Sequence, residues 1–302
     1  MQSITPKATI AVPKLDSIAF DGTSLWVFTS TGQVARLDPG TNTISALVTI
    51  DPTWQGGSFA ANAKGLWLSD YDTDLVYRVD PVSLKVVATI TAGPNPEGLS
   101  VDLEDGAVWV ANHHGGTVVR IDPATNKVVA TIPAGHVGSS GPHQIGLGLG
   151  SVWVGVPNAL SVFRIDPATN KVQAKIIMPV AASPCSRFAF SEKAVWMPSC
   201  QDSTALVRID PATNKVVTTI ELHGWGDDPV LIDGAPWLGV ESKASGPARL
   251  VRIDPASNQI DRVISLGDGF KGANLVVADG SVWATDWANN QVLRLPLAAF
   301  NK

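Results

Sequence analysis

Long apolar runs, charged residues and cysteines are all scarce in this sequence, and each shortage narrows what the protein can be. No run approaches the roughly 18 consecutive apolar residues that a membrane-spanning helix needs. Charged residues make up 16% of the 302 residues, and the 45% that are hydrophobic are spread evenly, so no disordered tail is expected. Two cysteines allow one disulfide at most. We therefore expect a globular chain with a large core and no membrane span.

Basic charge and the common catalytic motifs are missing as well. The 22 Lys and Arg residues are outnumbered by 27 Asp and Glu residues, for a net charge of −5. This balance argues against nucleic acid as a partner, because phosphate binding needs a basic face. HExxH, CxxC, GxSxG and P-loop motifs do not occur. The adjacent histidines of "NHHGG" would point to opposite sides of an extended chain, which disfavours a copper or zinc site there.

The sequence repeats one phrase instead. Versions of "VVRIDPATNKVVATI" recur at intervals of 42 to 44 residues. The Arg that opens the pattern Arg–apolar–Asp–Pro stands at Arg36, Arg78, Arg120, Arg164, Arg208, Arg252 and, in the reduced form "RLP", at Arg294. A tryptophan precedes each copy, at Trp26, Trp67, Trp109, Trp153, Trp196, Trp237 and Trp283. Seven units that carry both markers therefore make up the chain.

Each unit contains four segments that are typical of short β-strands. In the third unit they are "GLSVD", "AVWVAN", "TVVRID" and "KVVATI", rich in Val, Ile, Thr and Trp. No segment has a sustained apolar period of 3.6 residues, so helices are not expected. "DPATN" predicts a turn, because Asp can accept a forward hydrogen bond, Pro presets its own φ and Asn tolerates the left-handed region. Four strands in 42 to 44 residues predict a propeller blade.

The chain ends predict a closed ring. The last unit has little room for a fourth strand, and the N-terminal phrase "ATIAVP" at Ala8–Pro13 matches the fourth-strand phrase "ATIPAG". We expect the N-terminal strand to complete blade seven, which leaves only short, protected sheet edges.

Three phrases carry a resemblance to a known family. "GSVWVGV", "VVRIDPATNKVVATI" and "GPNPEGLSVD" resemble the seven-bladed propellers of the YVTN-repeat and virginiamycin B lyase-like group. The resemblance covers nearly the whole chain. It implies an all-β, seven-bladed β-propeller with four strands per blade, formed as one domain by residues 1–302. It also implies, as a candidate activity, the Mg²⁺-assisted elimination that opens a cyclic depsipeptide.

The repeated residues are interpreted as structural. One Trp per blade, at one strand position, indicates packing between blades, since a Trp in a regular strand is usually buried. The repeated Arg and Asp are expected to pair locally or to brace the turn.

The residues that break the repeat gather on one face. In a propeller, the loops that enter the innermost strand and leave the second strand share a face, and all five histidines fall in such loops, as do Trp54, Trp225 and Trp287. Ten positions before the repeated Trp, allowing for a two-residue insertion in the third unit, stand Asp16, Gly57, Glu97, His143, Ser186, Asp227 and Ala273. The next position holds Ser17, Ser58, Gly98, Gln144, Arg187, Asp228 and Asn274. These two positions should ring the mouth of the central channel.

The first hypothesis for this mouth is a lyase. His143 would act as the base that removes an α-proton, with Glu97 and His113 as further catalytic residues. Arg187, or a divalent metal such as Mg²⁺ held by Glu97 and His143, would stabilise the enolate oxygen. The expected substrate contacts are Arg187, Asp70, Tyr71, Gln144, Asn274, Trp54, Trp225 and Trp287. The substrate would be a small molecule or a cyclic peptide or ester.

The second hypothesis is a non-catalytic propeller. The mouth would then hold a small ligand or a loop of a protein partner, with the three extra tryptophans supplying apolar faces. Saturable binding without product would distinguish this hypothesis from the first.

The two cysteines bear on the compartment. Cys185 precedes the first strand of blade five and Cys200 follows the second, and these ends are neighbours in an antiparallel hairpin. We expect a disulfide there; two free thiols are the alternative. A disulfide favours a periplasmic or secreted protein. We also expect a monomer. Because no signal segment precedes "ATIAV", either the protein is cytosolic or a signal was removed and Met1 was added for expression, and the expected disulfide favours the second alternative.

Overall fold

Seven antiparallel sheets form the seven blades of a β-propeller in the computed structural model. It describes residues 2–54, 56–102, 106–138, 141–200, 204–241 and 248–301. The innermost strand of each blade contacts that of the next, and blade 7 contacts blade 1, so the ring is closed. Within the described ranges, no helix has the length and apolarity needed to cross a bilayer. The predicted fold class is confirmed.

The strands follow the repeat. Blade 1 contains Leu15–Phe20, Leu25–Thr29, Gln33–Asp38, Thr43–Ile44 and Val48–Thr49. Blade 2 contains Phe59–Asn62, Gly65–Asp70, Leu75–Val79 and Val86–Thr91, and blade 3 contains Pro96–Val101, Val108–Asn112, Thr117–Asp122 and Lys127–Pro133. Blade 4 contains Ile145–Gly148, Ser151–Val156, Ser161–Asp166 and Lys171–Ile177, and blade 5 contains Ala189–Ser191, Ala194–Pro198, Ala205–Asp210 and Lys215–Glu221. Blade 6 contains Trp225–Gly226, Val230–Ile232, Ala235–Glu241, Arg249–Asp254 and Gln259–Ser265, and blade 7 contains Leu275–Ala278, Ser281–Asp286 and Gln291–Pro296. Two short 3₁₀ helices lie at Pro157–Ala159 and Leu297–Ala299.

The N-terminus closes the ring as predicted. Ala8–Ala11 pairs antiparallel with Gln291–Pro296 and becomes the outermost strand of blade 7. The structure adds a second attachment, because Gln2–Ser3 pairs parallel with the outer strand of blade 6, Gln259–Ser265. The N-terminal segment therefore joins two neighbouring blades.

The seven repeated tryptophans lie between blades. Each is at most 2% exposed. Trp109 of blade 3, for example, shares a core cluster with Ile145 and Val154 of blade 4, and Trp237 of blade 6 packs with Val282 of blade 7. This confirms the packing interpretation and places the apolar core in the boundaries between blades.

The repeated arginines connect neighbouring blades. Arg164 lies with its guanidinium 5.0 Å from the ring centre of Trp153 and donates through Nη1 to Pro211 O at 2.6 Å and Asn214 Oδ1 at 3.1 Å. We call this contact the arginine clasp. The same bond to the turn proline of the next blade is made by Arg78, Arg120, Arg208 and Arg294. The expectation that the repeated residues brace the turn is confirmed, with the addition that the turn held by the arginine belongs to the next blade; Arg252 instead pairs with Asp261 inside its own blade.

The Asp-Pro turn forms by the predicted mechanism. Asp166 accepts a hydrogen bond from Ala168 N at 2.9 Å and another from Thr169 Oγ1 at 2.8 Å, and these bonds lower the pKa of its carboxyl. Asn170 has a φ of 55°, in the left-handed region that Asn tolerates.

Candidate functional site

Three of the predicted catalytic residues meet at the mouth of the channel. Glu97 lies in the innermost strand of blade 3, His113 directly follows the second strand of that blade, and His143 lies in the loop that enters blade 4. Glu97 Oε2 is 3.5 Å from both His113 Nδ1 and His143 Nε2. The two imidazole rings are edge to face, with centres 6.0 Å apart. We call these residues the Glu97 cluster.

Two glycines let the loop of blade 4 approach blade 3 closely enough to form this cluster. A Cβ atom at Gly98 would lie 2.1 Å from His143 O, and one at Gly141 would lie 1.6 Å from His113 O. The loop is also tied to blade 3 because His113 Nδ1 is 3.2 Å from Pro142 O. The position of His143 is therefore fixed by backbone packing.

The surroundings of His143 favour a neutral ring. Burial lowers its pKa below the usual 6.5; the charge of Glu97 raises the pKa and that of His113 lowers it. Nδ1 is buried and has no hydrogen-bond partner in the described part of the chain. The His143 side chain is nevertheless 31% exposed. Since Nδ1 is buried, a ligand would contact the ring through Nε2, the nitrogen that faces Glu97.

Arg187 spans the mouth from blade 5 to blade 2. Its Nε is 3.5 Å from Asp228 Oδ2, and its Nη2 lies 3.4 Å from Ser58 Oγ and donates to Phe59 O at 3.2 Å. Asn274 Nδ2 donates to the same Asp228 oxygen at 2.9 Å. The aligned positions of blades 2, 5, 6 and 7 thus meet as the repeat alignment predicted.

Two carboxyl groups at the aligned position, Asp16 and Asp227, were not among the expected site residues. Burial raises the pKa of Asp227 to about 7, although the N–H of Ala273 lowers it, and Glu241 and Asp228 raise it further. Burial also raises the pKa of Asp16, against the lowering effects of Ser17 and Arg187. Both occupy the aligned position that holds Glu97 and His143, so the alignment contained the signal, but burial is not visible in the sequence.

Trp54 and Asp70 do not lie where a ligand can touch them. Trp54 is 5% exposed; its ring packs edge to face on Phe28, and its Nε1 donates to Ser69 O at 3.0 Å. Asp70 is fully buried and accepts a hydrogen bond from Asp72 N at 3.0 Å, so it holds the turn after its strand. Both side chains are buried in this structure, and their role as substrate contacts stays a prediction.

The other expected contacts lie at or near the mouth. Tyr71 is half-buried, and its pKa is raised by burial and by the nearby charges of Asp72, Glu97 and Asp70. Trp287 Nε1 donates to Asp16 O at 2.7 Å. Trp225 is 41% exposed in the short strand Trp225–Gly226 of blade 6, and Gln144 is half-buried beside His143.

A disulfide joins Cys185 and Cys200, as predicted. Their Cα atoms are 5.8 Å apart, within the usual range for disulfides. A backbone bridge between Ser183 and Cys200 brings the two segments together. The bond therefore braces the loop that carries Arg187.

The donor groups of the mouth fit Mg²⁺ poorly. Mg²⁺ prefers six oxygen ligands, whereas the Glu97 cluster offers one carboxylate and two imidazoles. Across the residues that the structure describes, no group of three or more His, Cys, Asp or Glu is arranged to hold a metal. The divalent metal on Glu97 and His143 stays a prediction, to be decided by metal analysis of the purified protein, and no step proposed below uses it.

Comparisons with known proteins find similar structures only. No protein-family model and no curated protein sequence matches the chain. Virginiamycin B lyase from Staphylococcus aureus is 14% identical with a TM-score of 0.78, and the match covers 96% of this chain and 98% of that one. A streptogramin B lyase is 16% identical with a TM-score of 0.76 over 95% and 96% of the two chains, and hydrazine synthase of Kuenenia stuttgartiensis is 16% identical with 0.75 over 94% and 96%.

The chain shares the fold of these propellers. At 14–16% identity the likeness establishes the architecture. Activity has to be argued from the residues at the mouth.

Proposed function

We propose that the protein is a lyase-like enzyme that acts at the mouth on a small molecule or a cyclic peptide or ester. The observation that carries the proposal is His143, whose lowered pKa keeps it neutral while a carboxylate lies 3.5 Å from its Nε2. A neutral, partly exposed imidazole beside a carboxylate is suited to proton abstraction. The fold likeness to a virginiamycin B lyase and a streptogramin B lyase supports the same reaction class.

The proposed reaction is a β-elimination. His143 Nε2 takes the proton from the carbon next to a carbonyl group, and Glu97 stabilises the imidazolium that forms. The electron pair of the broken C–H bond forms a C=C bond as the neighbouring C–O bond of the ester breaks, which releases a carboxylate. Arg187 supplies the positive charge that stabilises negative charge on the carbonyl oxygen.

Alanine at position 143 tests the assignment. His143→Ala should lower kcat/KM by about 10²–10⁴-fold, the usual contribution of a positioned general base. His223→Ala is the matched control, because His223 is exposed and contacts Glu221 outside the Glu97 cluster. Glu97→Gln should give an intermediate loss. Full activity of His143→Ala would refute the assignment.

A binding propeller is the second candidate, and the rim of the mouth favours it. Val137 and Val180 are exposed hydrophobic residues on the loops that enter blades 4 and 5, and Trp225 is exposed in the short strand Trp225–Gly226 of blade 6. An apolar rim around a polar centre is typical of a ligand or partner site. Saturable binding of the candidate substrates by wild-type protein with no product would favour this function.

We also propose that the protein works as a monomer in an oxidising compartment. The disulfide supports the compartment, because such bonds persist in periplasmic and extracellular proteins. Labelling of both cysteines by a thiol reagent in unfolded, unreduced protein would contradict this, and gel filtration would test the monomer.

A further inference from the structure

His113 contacts both of the elements that meet in the Glu97 cluster. Its Nδ1 is 3.2 Å from Pro142 O, in the loop that carries His143, and 3.5 Å from Glu97 Oε2, in its own blade. Its side chain is 15% exposed, so protein atoms largely fix the ring. The elimination described above uses His143, Glu97 and Arg187, and it leaves the role of His113 open.

The contact with Pro142 determines which nitrogen of His113 carries the hydrogen. A carbonyl oxygen can only accept a hydrogen bond, so the ring nitrogen that faces Pro142 O has to donate. Nδ1 therefore carries the hydrogen, and Nε2 is the acceptor when the ring is neutral. As a result, the positive end of the Nδ1–H group also lies on the side of the Glu97 carboxylate.

The carboxylate of Glu97 depends on its neighbours for a fixed orientation. Its Oε2 is buried and accepts no full hydrogen bond in the part of the chain that the structure describes. Holding a glutamate side chain in one position costs conformational entropy, so an attraction has to offset that cost. A distance of 3.5 Å is too long for a strong hydrogen bond, but the attraction between an N–H dipole and a buried carboxylate still acts there. The Nδ1–H group of His113 thus favours the orientation in which Oε2 also lies 3.5 Å from His143 Nε2.

We propose that His113 is a positioning residue, which uses its Nδ1–H group to hold the Glu97 carboxylate beside His143. Pro142 O fixes the hydrogen on Nδ1, so the loop that carries the base also orients the group that holds the carboxylate. In this role His113 touches no substrate and transfers no proton, in contrast to the direct catalytic role expected from the sequence. The inference rests on the proposed function, because that function is what gives Glu97 its task beside the base.

The tautomer of His113 tests the proposal without any substrate. NMR of the ring nitrogens in ¹⁵N-labelled protein, in mildly alkaline solution, distinguishes an Nδ1–H imidazole from an Nε2–H imidazole, which a structure without hydrogens does not show directly. The signals that disappear in His113→Asn belong to His113. We expect the Nδ1–H tautomer. An Nε2–H tautomer would overturn the proposal, because Nδ1 could then donate neither to Pro142 nor toward Glu97.

Two substitutions separate the roles of the two ring nitrogens. The amide nitrogen of Asn lies as many bonds from Cα as Nδ1 of His, and that of Gln lies as many bonds away as Nε2. His113→Asn should therefore keep kcat/KM within about threefold of wild type, whereas His113→Gln should lower it by about tenfold, mainly through kcat, because the contact with Glu97 is lost while the substrate contacts remain. In crystal structures of the two variants, Glu97 Oε2 should stay beside His143 Nε2 in the first and move away in the second.

His114→Ala is the matched control. The ring of His114 has its centre 5.5 Å from that of His113, but the residue is exposed, and no contact between it and Glu97 occurs within the described ranges. The control should keep the activity of wild type. Loss of activity in His114→Ala equal to that in His113→Gln would overturn the proposal, because the effect would then not be specific to the contact with Glu97.

The remaining outcomes also decide the matter. A larger loss in His113→Asn than in His113→Gln would overturn the proposal and make His113 a catalytic residue that acts through Nε2. Equal losses would show that the ring only fills space. If the wild-type chain catalyses no elimination, the proposed function fails, and the tautomer and the place of Glu97 in the two variants still decide the role of His113. An active enzyme with an Nε2–H tautomer would refute the positioning role and leave the proposed function intact.

Discussion

Replacing Arg164 with methionine should cost about 3 kcal/mol of stability, an estimate that follows from the arginine clasp. The side chain makes two hydrogen bonds to blade 5, one to Ser151 of its own blade, and a cation–π contact with Trp153. Arg164 is only partly buried, so we take about 1 kcal/mol, the net value of a typical intramolecular hydrogen bond, for each of the three bonds, which gives about 3 kcal/mol; the cation–π contact adds about 0.5 kcal/mol. Because methionine keeps most of the aliphatic packing, the loss of unfolding free energy can be attributed to the arginine clasp.

Arg36→Met is the control for this substitution. Arg36 occupies the aligned position in blade 1, but its side chain is exposed and makes no clasp to blade 2 within the described ranges. At roughly 2 °C per kcal/mol for a chain of this size, Arg164→Met should lower Tm by about 6 °C. Arg36→Met should lower it by about 1 °C or less, the usual effect of a surface substitution. Equal shifts in the two variants, measured by calorimetry, would refute the idea that clasps stabilise the blade boundaries.

Three further predictions concern the mouth. Burial raises the pKa of Asp227 from 3.8 to about 7, so the fold loses stability as pH rises from about 4 to about 7, where the carboxyl is ionised in the unfolded chain but not in the folded one. At about 1.4 kcal/mol per pH unit over that range, Asp227→Asn should be more stable than wild type by about 4 kcal/mol at pH 8 and equal to it at pH 4 in denaturant titrations. Burial lowers the pKa of His143 below 6.5, so the base should become protonated, and kcat/KM should fall, only when the pH drops below 6.5. A fall in kcat/KM with a midpoint above pH 6.5 would contradict a buried base. Replacing both Cys185 and Cys200 with serine should lower Tm and raise KM more than it lowers kcat, because the disulfide braces the loop of Arg187; unchanged kinetics would show that the loop needs no brace.

The repeat made the fold predictable. The regular spacing of Trp and Arg defined seven blades, and the likeness of Ala8–Pro13 to a fourth-strand phrase predicted the closing strand. The parallel pairing of Gln2–Ser3 with blade 6 could not be predicted, because two residues carry no strand pattern of their own. The arginine clasp could not be predicted either. All seven units repeat the same turn, so the sequence does not show whether an arginine contacts the turn of its own blade or that of the next blade.

The alignment located the mouth but could not resolve its chemistry. It brought Glu97, His143 and Arg187 to one face, where the structure also places them. It could not separate Trp54, which fills a core, from Trp225, which is exposed, because both lie outside the repeat and the alignment carries no information on their burial. The raised pKa of Asp227 depends on burial by neighbouring blades, and such packing has no local signature in the sequence.

The mass of the product formed from a cyclic depsipeptide tests the central proposal most directly. Elimination opens the ring without adding or removing atoms, so the account predicts a linear product with the mass of the substrate and a new C=C absorbance. The product should form with wild-type protein and His223→Ala but not with His143→Ala. A product heavier by one water would show hydrolysis, and it would contradict the elimination assigned to His143.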